Sequence, residues 1–340
     1  MVKFSNSRLL ALVVCFVCGS LLHGQKRQGN IVEYFGKEKV NEVNEGKVAH
    51  VFKEALYLPT KRNALNSISF PTDKVFKDFL MTHKTVSEGE IGLVDHSGTA
   101  QRWTKIKVDS SSTFNSPVLR GSYVYLSYKS NKEDVVLFEA SGHTQAIING
   151  FPHEGDYYDF GYSLIPIKLK KGTNVFVLKS GRFPRVRARL IQPKSPILLT
   201  QRDMTLPDLL IGENVNYQGA IRVINASDTW VKKHEIQVAH QGKKLSSEIP
   251  SIPPMSVRKV AFEIPAVVAH TTAQESNLNL KLMSGSQQAL DDQEITIHIK
   301  SKHDKHKRTF ISQIDGSVQY FSVAPSSTHD LEDGALFLSV

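Results

Sequence analysis

From Trp103 onward the side chains change character at every second residue, a period that a strand has and a helix lacks. Trp103, Lys105 and Lys107 stand against Thr104, Ile106 and Val108, and the pattern returns in Tyr123-Val124-Tyr125-Leu126-Ser127-Tyr128. Residues 135–139, 146–148, 163–169 and 174–179 continue the series, punctuated by Ser141-Gly142, Asn149-Gly150 and Lys171-Gly172-Thr173. Asn149-Gly150 supplies the positive φ angles that a two-residue reversal requires. Pro193 and Pro196 interrupt the pattern, and a second set follows at 220–225, 235–240, 257–264, 278–283 and 294–299. Short strands at this spacing predict an all-β chain of two sandwiches: a jelly-roll, galactose-binding-like domain over 47–192 and an immunoglobulin-like domain over 193–300. One helix interrupts them. Pro71, Thr72 and Asp73 offer its start, Val75, Phe76, Phe79 and Leu80 share a face, and it ends near His83.

The first 24 residues read as an address. Lys3 and Arg8 precede the apolar stretch 9–22, which is shorter than the roughly 20 apolar residues of a membrane span and is closed off by Lys26 and Arg27. The expectation is a signal peptide cleaved near Gly24 and a secreted or periplasmic product without a stable membrane span; an uncleaved anchor is the other reading. Both cysteines, Cys15 and Cys18, fall in this segment, so the processed chain has neither disulfides nor a thiol nucleophile. Residues 25–46 read as a polar leader with little to pack.

Lys and Arg number 42 against 33 Asp and Glu, a formal +9 that remains basic after processing. The dense basic blocks of a nucleic-acid binder are missing, so no nucleic acid is expected, and the charge points at most to an acidic surface or polymer. The basic stretch 301–308 reads as a solvated linker, with an acidic-polymer patch as its alternative. Arg182, Arg185, Arg187 and Arg189 are expected to share one face, turned to solvent or to a neighbouring domain.

Catalytic patterns are absent. The chain has no Gly-x-Ser-x-Gly, no Walker loop, no dinucleotide fingerprint and no cysteine pair for a metal. His234 and His240 lie on one strand roughly 20 Å apart, too far for one zinc, and His303-x-x-His306 lacks a carboxylate or cysteine partner. The polar cluster with the most chemistry is the loop 153–161. Glu154, Asp156 and Asp159 stand there with Tyr157, Tyr158, Phe160 and Tyr162, a set suited to calcium or to stacking on a sugar ring. A purely conformational use of the same residues, acids capping turns and rings closing the sandwich edge, is the competing reading. Calcium is the one cofactor considered, and no catalytic residue is assigned. Asn225-Ala226-Ser227 is a glycosylation sequon.

Near the end, residues 309–314 and 317–323 alternate around Asp315-Gly316, a hairpin signal. The run 335–340 is continuously apolar, like a strand buried on both faces of a parallel sheet. Asn149-Gly150, Pro152, Gly155-Asp156, Tyr158, Gly161-Tyr162, Pro166, Leu169-Lys170-Lys171-Gly172 and Asn174, followed by the run from Ile314 to Tyr320, resemble the N-terminal sandwich of large secreted bacterial α/β-hydrolases of the esterase and prolyl-oligopeptidase-like kind. The resemblance implies that 309–340 open a hydrolase domain whose catalytic part lies beyond Val340, so that no triad residue can be assigned here. The expected function is therefore a non-catalytic accessory region of an ester or peptide hydrolase, inert alone, with a free-standing glycan-binding sandwich as the alternative. The partner is correspondingly a missing C-terminal hydrolase domain, or a glycan or acidic polymer.

Overall fold

The computed structural model describes residues 42–60, 70–95, 97–266 and 272–325. The expected signal segment, the leader as far as residue 41 and the apolar run 335–340 lie outside the described residues. Within them the alternating runs are strands: Asp134–Ser141, His143–Ile148, Leu164–Leu169 and Gly172–Ser180, then Tyr217–Asn225, Glu235–His240, Ser256–Ile264, Gln274–Met283 and Ala289–Lys300. The described residues hold one α-helix, Phe70–Phe79, so the protein is an all-β assembly of layered sheets. No helix among them is long and apolar enough to cross a membrane.

In the first sandwich one sheet runs Glu42–Val43, Gly46–Val51, Arg185–Pro193, Asp134–Ser141, Leu164–Leu169. The other runs Phe151–Glu154, His143–Ile148, Gly172–Ser180, Tyr123–Ser130, Glu54–Leu58, Thr104–Lys107. Between them lie Phe52, Phe114, Leu126, Phe138, Ile167 and Phe176. Strand Tyr123–Ser130 is buried on both faces because the helix covers the outside of its sheet. Val124 and Leu126 face the inter-sheet core, while Tyr123 and Tyr125 join Trp103 and the helix residues Val75 and Phe79. The predicted helix face is thus the packed one. Asn149 and Gly150 have φ of 50° and 89°, and the reversal they form pairs Ile148 with Phe151.

The second sandwich stacks a three-stranded sheet, Ile197–Thr205, Tyr217–Asn225, Ser256–Ile264, on a five-stranded one. The latter runs Leu209–Leu210, Ala289–Lys300, Gln274–Met283, Glu235–His240, Lys243–Glu248. Alternate residues of the facing strands, among them Ile221, Val223, Ile236, Val238, Leu280 and Ile297, form its core.

The junction between the sandwiches differs from what the sequence predicts. Strand structure begins at Glu42, inside the expected leader, and Glu45 is only 3% exposed. Its carboxylate accepts from Arg202 Nε at 3.0 Å and from Thr200 Oγ1 at 2.5 Å, both from the second sandwich. Arg202 also donates to Glu139 at 2.6 Å, and Arg189 pairs with the other oxygen of Glu139. Burial alone raises the pKa of Glu45, but the Arg202 charge and the hydrogen bonds from Arg202 and Thr200 outweigh it and hold the carboxyl below its usual range. The arginine row is corrected by the same contacts. Arg182 precedes the strand and stands apart from the other three, and Arg187 and Arg189 are buried against Asp159 and Glu139 instead of facing water.

The basic stretch at 301–308 is tied down. Asp208, 1% exposed, accepts from Lys300 Nζ at 3.0 Å and from the Lys307 backbone N–H at 2.7 Å. Glu213 pairs with both terminal nitrogens of Arg308 at 2.9 and 3.2 Å. The predicted hairpin is present as His306–Ile311 against Val318–Val323. It is fixed to the second sandwich by Thr309 Oγ1 donating to the Gln218 carbonyl at 2.6 Å, and no crossover helix accompanies it among the described residues.

Candidate functional site

The loop 154–162 leaves the edge strand Phe151–Glu154 of one sheet and enters the edge strand Leu164–Leu169 of the other, so it spans one side of the first sandwich. Its start is fixed by contact: a Cβ on Gly155 falls 2.2 Å from the backbone carbon of Thr144, which leaves room for glycine alone. Gly155→Ala is expected to cost about 1–3 kcal/mol through this overpacking, read as a lower urea midpoint at unchanged slope.

The three candidate carboxylates do separate work. Asp156 is buried and accepts the backbone N–H groups of Phe160 at 2.9 Å and Gly161 at 2.8 Å, closing the turn from inside. Burial raises its pKa; the two backbone hydrogen bonds oppose that rise, and the Asp159 charge adds to it. Asp159, with φ of 56°, pairs with Arg185 and lies 3.7 Å from Arg187. Glu154 is exposed and reaches Arg222 at 3.4 Å. They do not converge, and no group of three His, Cys, Asp or Glu side chains among the described residues is placed to hold a metal. A calcium site needs several oxygens aimed at one point, whereas each of these carboxylates is directed at a different partner.

What the acids fix is a set of rings. Tyr157 and Tyr158 are 59% and 52% exposed. The centroids of Tyr157 and Tyr158, of Tyr158 and Phe160, and of Phe160 and Tyr162 are each 5.4 Å apart, and the Tyr158 and Phe160 planes are within 24°. Phe160 and Tyr162 are half-buried, so the row is wet at the tyrosine end and anchored at the other. The second sandwich holds the anchored end: Arg202 donates to the Gly161 carbonyl at 3.2 Å and Arg222 to the Tyr162 carbonyl. Arg182, singled out in the sequence only as part of the arginine row, joins this loop: its guanidinium lies 5.3 Å over the Tyr158 ring and 5.0 Å over Phe183. Its contact with Tyr158 joins two separate loops, and no local pattern carries it.

Other singled-out residues lie elsewhere. His240 is buried with Nε2 2.8 Å from Ser276 Oγ, and half-buried His234 contacts the Lys232 carbonyl. His306 is buried, with Nδ1 at the Asp304 carbonyl, and His303 is exposed. The sequon asparagine is inaccessible: Asn225 is fully buried and its amide donates to the carbonyls of Thr229 and Pro253, both at 2.8 Å.

No family model matches this chain, and no curated protein does. Among solved structures it is similar to the exo-chitosanase CsxA of Amycolatopsis orientalis, with TM-score 0.35 and 11% identity over 81% of this chain and 36% of that one. It is also similar to a β-glucuronidase of Bacteroides uniformis, with TM-score 0.37 and 11% identity over 74% and 32%. For a Bifidobacterium dentium β-glucuronidase complexed with coumarin-3-O-glucuronide the values are 0.36 and 10% over 83% and 51%. The chain spans about a third to a half of the length of these proteins. The expected likeness to secreted esterases and prolyl-oligopeptidase-like hydrolases is corrected by this outcome, since the structures found are glycosidases. At such scores nothing about the site is carried over from them.

Proposed function

We propose that this chain is a non-catalytic glycan-binding protein. Its contact surface is the loop 154–162, its first sandwich is jelly-roll-like and its second immunoglobulin-like. The observation that supports the reading is the wet end of the ring row. Tyr157 and Tyr158 stand exposed on a loop whose buried Asp156 caps its backbone and whose buried Asp159 pairs with Arg185. Fixed tyrosines offer an apolar face for the C–H face of a sugar and hydroxyls for its oxygens, at small entropic cost on binding.

Covering roughly 60 Å² of ring face at about 25 cal/mol per Å² is worth ~1.5 kcal/mol, or about tenfold in Kd. Tyr157→Ala and Tyr158→Ala are each expected to weaken binding by about that factor. The test is affinity electrophoresis of the processed chain through gels containing a panel of neutral and acidic polysaccharides, followed by calorimetric titration of any that retard it. Migration unchanged by every polysaccharide sinks the proposal, as does retardation that survives the double Tyr157→Ala, Tyr158→Ala variant. The same preparation is expected to cleave neither nitrophenyl esters nor nitrophenyl glycosides above a heat-denatured control. Export is part of the proposal, and protein recovered outside the cytoplasm that still begins at Met1 argues against cleavage near Gly24.

A further inference from the structure

The run Arg182, Arg185, Arg187, Arg189 divides sharply by partner. Arg185 pairs with Asp159, Arg187 lies against the same carboxylate, and Arg189 pairs with Glu139. Arg182 is exposed, its contacts are the Tyr158 and Phe183 rings, and no described carboxylate pairs with it. A guanidinium held over aromatic rings by cation–π attraction keeps N–H donors for a further partner. The donors therefore stand at Tyr158, itself in ring contact with the exposed Tyr157, on a protein with a formal charge of +9.

We infer that the loop prefers glycans that carry a carboxylate, uronate-containing polymers, with Arg182 reading the charge while the tyrosines hold the sugar face. This rests on the glycan-binding proposal and names its substrate class. A carboxylate on a pyranose ring lies at the ring edge, so a sugar laid on the tyrosines turns it toward a guanidinium at the margin of the same surface. The planar fork of Arg182 matches it with two parallel N–H···O bonds, stronger than neutral ones. A neutral sugar leaves those donors to water and loses only that increment.

The experiment uses one backbone with and without its charge: linear polygalacturonate and the same polymer methyl-esterified. Polyglutamate, an anion without sugar rings, is the control. Wild-type protein is expected to bind the acid form about tenfold tighter than the ester and polyglutamate weakly, with the preference shrinking as salt screens it. Arg182→Gln, a change at an exposed side chain, is expected to bind acid and ester alike at the ester's wild-type affinity. Tyr158→Ala is expected to lose affinity for both. Equal wild-type binding of acid and ester overturns the inference and leaves glycan binding standing. Polyglutamate bound as tightly as polygalacturonate also overturns it, because net charge then suffices. If neither galacturonan binds while another polysaccharide of the panel does, the uronate preference is wrong. If no glycan binds, the parent proposal fails first.

Discussion

Arg202→Ala is expected to destabilise the protein by about 3–5 kcal/mol, the range for removing one partner of a buried ion pair. The Arg202 side chain is 3% exposed and stands between two carboxylates from the first sandwich, Glu45 at 4% and Glu139 at 0%. Its guanidinium is held charged well above its ordinary range: burial opposes the charge, but Glu139, Glu45 and the hydrogen bonds to both outweigh that. With it gone, Arg189 is the one remaining cation in contact with Glu139 among the described residues and none of them faces Glu45, so a buried anion is stranded. The loss is expected to depend on pH. In the wild type, Glu45 has a depressed pKa, so its contribution is present above its unfolded value of 4.5 and is lost as pH falls through the folded value. In the variant, burial without the cation raises the Glu45 pKa, and protonation then relieves the strain. The gap between the two proteins should begin to narrow above pH 4.5, as Glu45 of the variant takes up its proton, and narrow further below 4.5 as the wild type loses its own contribution, read from urea unfolding at half-unit steps from pH 7 to pH 4. Pairing Arg202→Met with Glu45→Gln should cost less than the two single changes added together. Equal stability of Arg202→Ala and wild type at pH 7 would remove the network from any account of the junction.

That network also shows where a sequence stops being readable. The strands of both cores were legible because one face of each is apolar, and an apolar face leaves a period-two trace in any window of six residues. Edge strands leave a weaker one. Lys243–Glu248, reading KKLSSE, is mostly exposed and pairs on one side, so nothing forces its residues to alternate. Gly46–Val51, flanked on its outer side only by the two-residue strand Glu42–Val43, was hidden beneath Lys47 and His50. The junction left no trace at all. Glu45 and Arg202 are 157 positions apart, and Arg202 and Glu139 are 63 apart. Each looks like an ordinary surface residue until the fold brings them together. The loop 154–162 was legible as a place with chemistry, because three acids and four rings in nine positions are conspicuous. The division of labour within it was not. Asp156 caps backbone donors and Asp159 meets arginines 26 and 28 positions on, partners that no pattern within the loop announces. The hydrolase resemblance misled for a related reason. Asn-Gly and Asp-Gly reversals and a Lys-Lys-Gly strand end are demands of antiparallel sheets in general, and carry little about which family built them.

Between pH 6.5 and pH 4 the protein is expected to lose about 3 kcal/mol of stability to one residue, His143. The ring is 0% exposed, and neither of its nitrogens has a hydrogen-bond partner among the described residues. Gly142 before it has φ of 77° and approaches the Arg185 carbonyl so closely that a Cβ there falls 2.0 Å from the oxygen, so the chain at this corner has little room to turn the ring outward. Burial disfavours the charged form and pushes the pKa from 6.5 to about 4. The sign follows from proton counts. Above pH 6.5 both folded and unfolded chains hold His143 neutral, so the residue adds no slope. Between 6.5 and 4 the unfolded chain takes up a proton that the folded one refuses, and stability falls with pH, by about 2 kcal/mol at pH 5. Below pH 4 both states are protonated and the slope ends, which separates this loss from that of Glu45. His50 and His153, half-buried and shifted the same way by burial, leave a shallower slope behind. His143→Leu should flatten the curve across this window and leave stability at pH 7 equal or higher, since the change also removes two buried polar atoms without partners. Urea midpoints measured at half-unit steps from pH 7 to pH 4 decide it: parallel curves for His143→Leu and wild type would mean that the imidazole finds a proton acceptor or water in the folded state, and that its burial is not what tunes the acid limb.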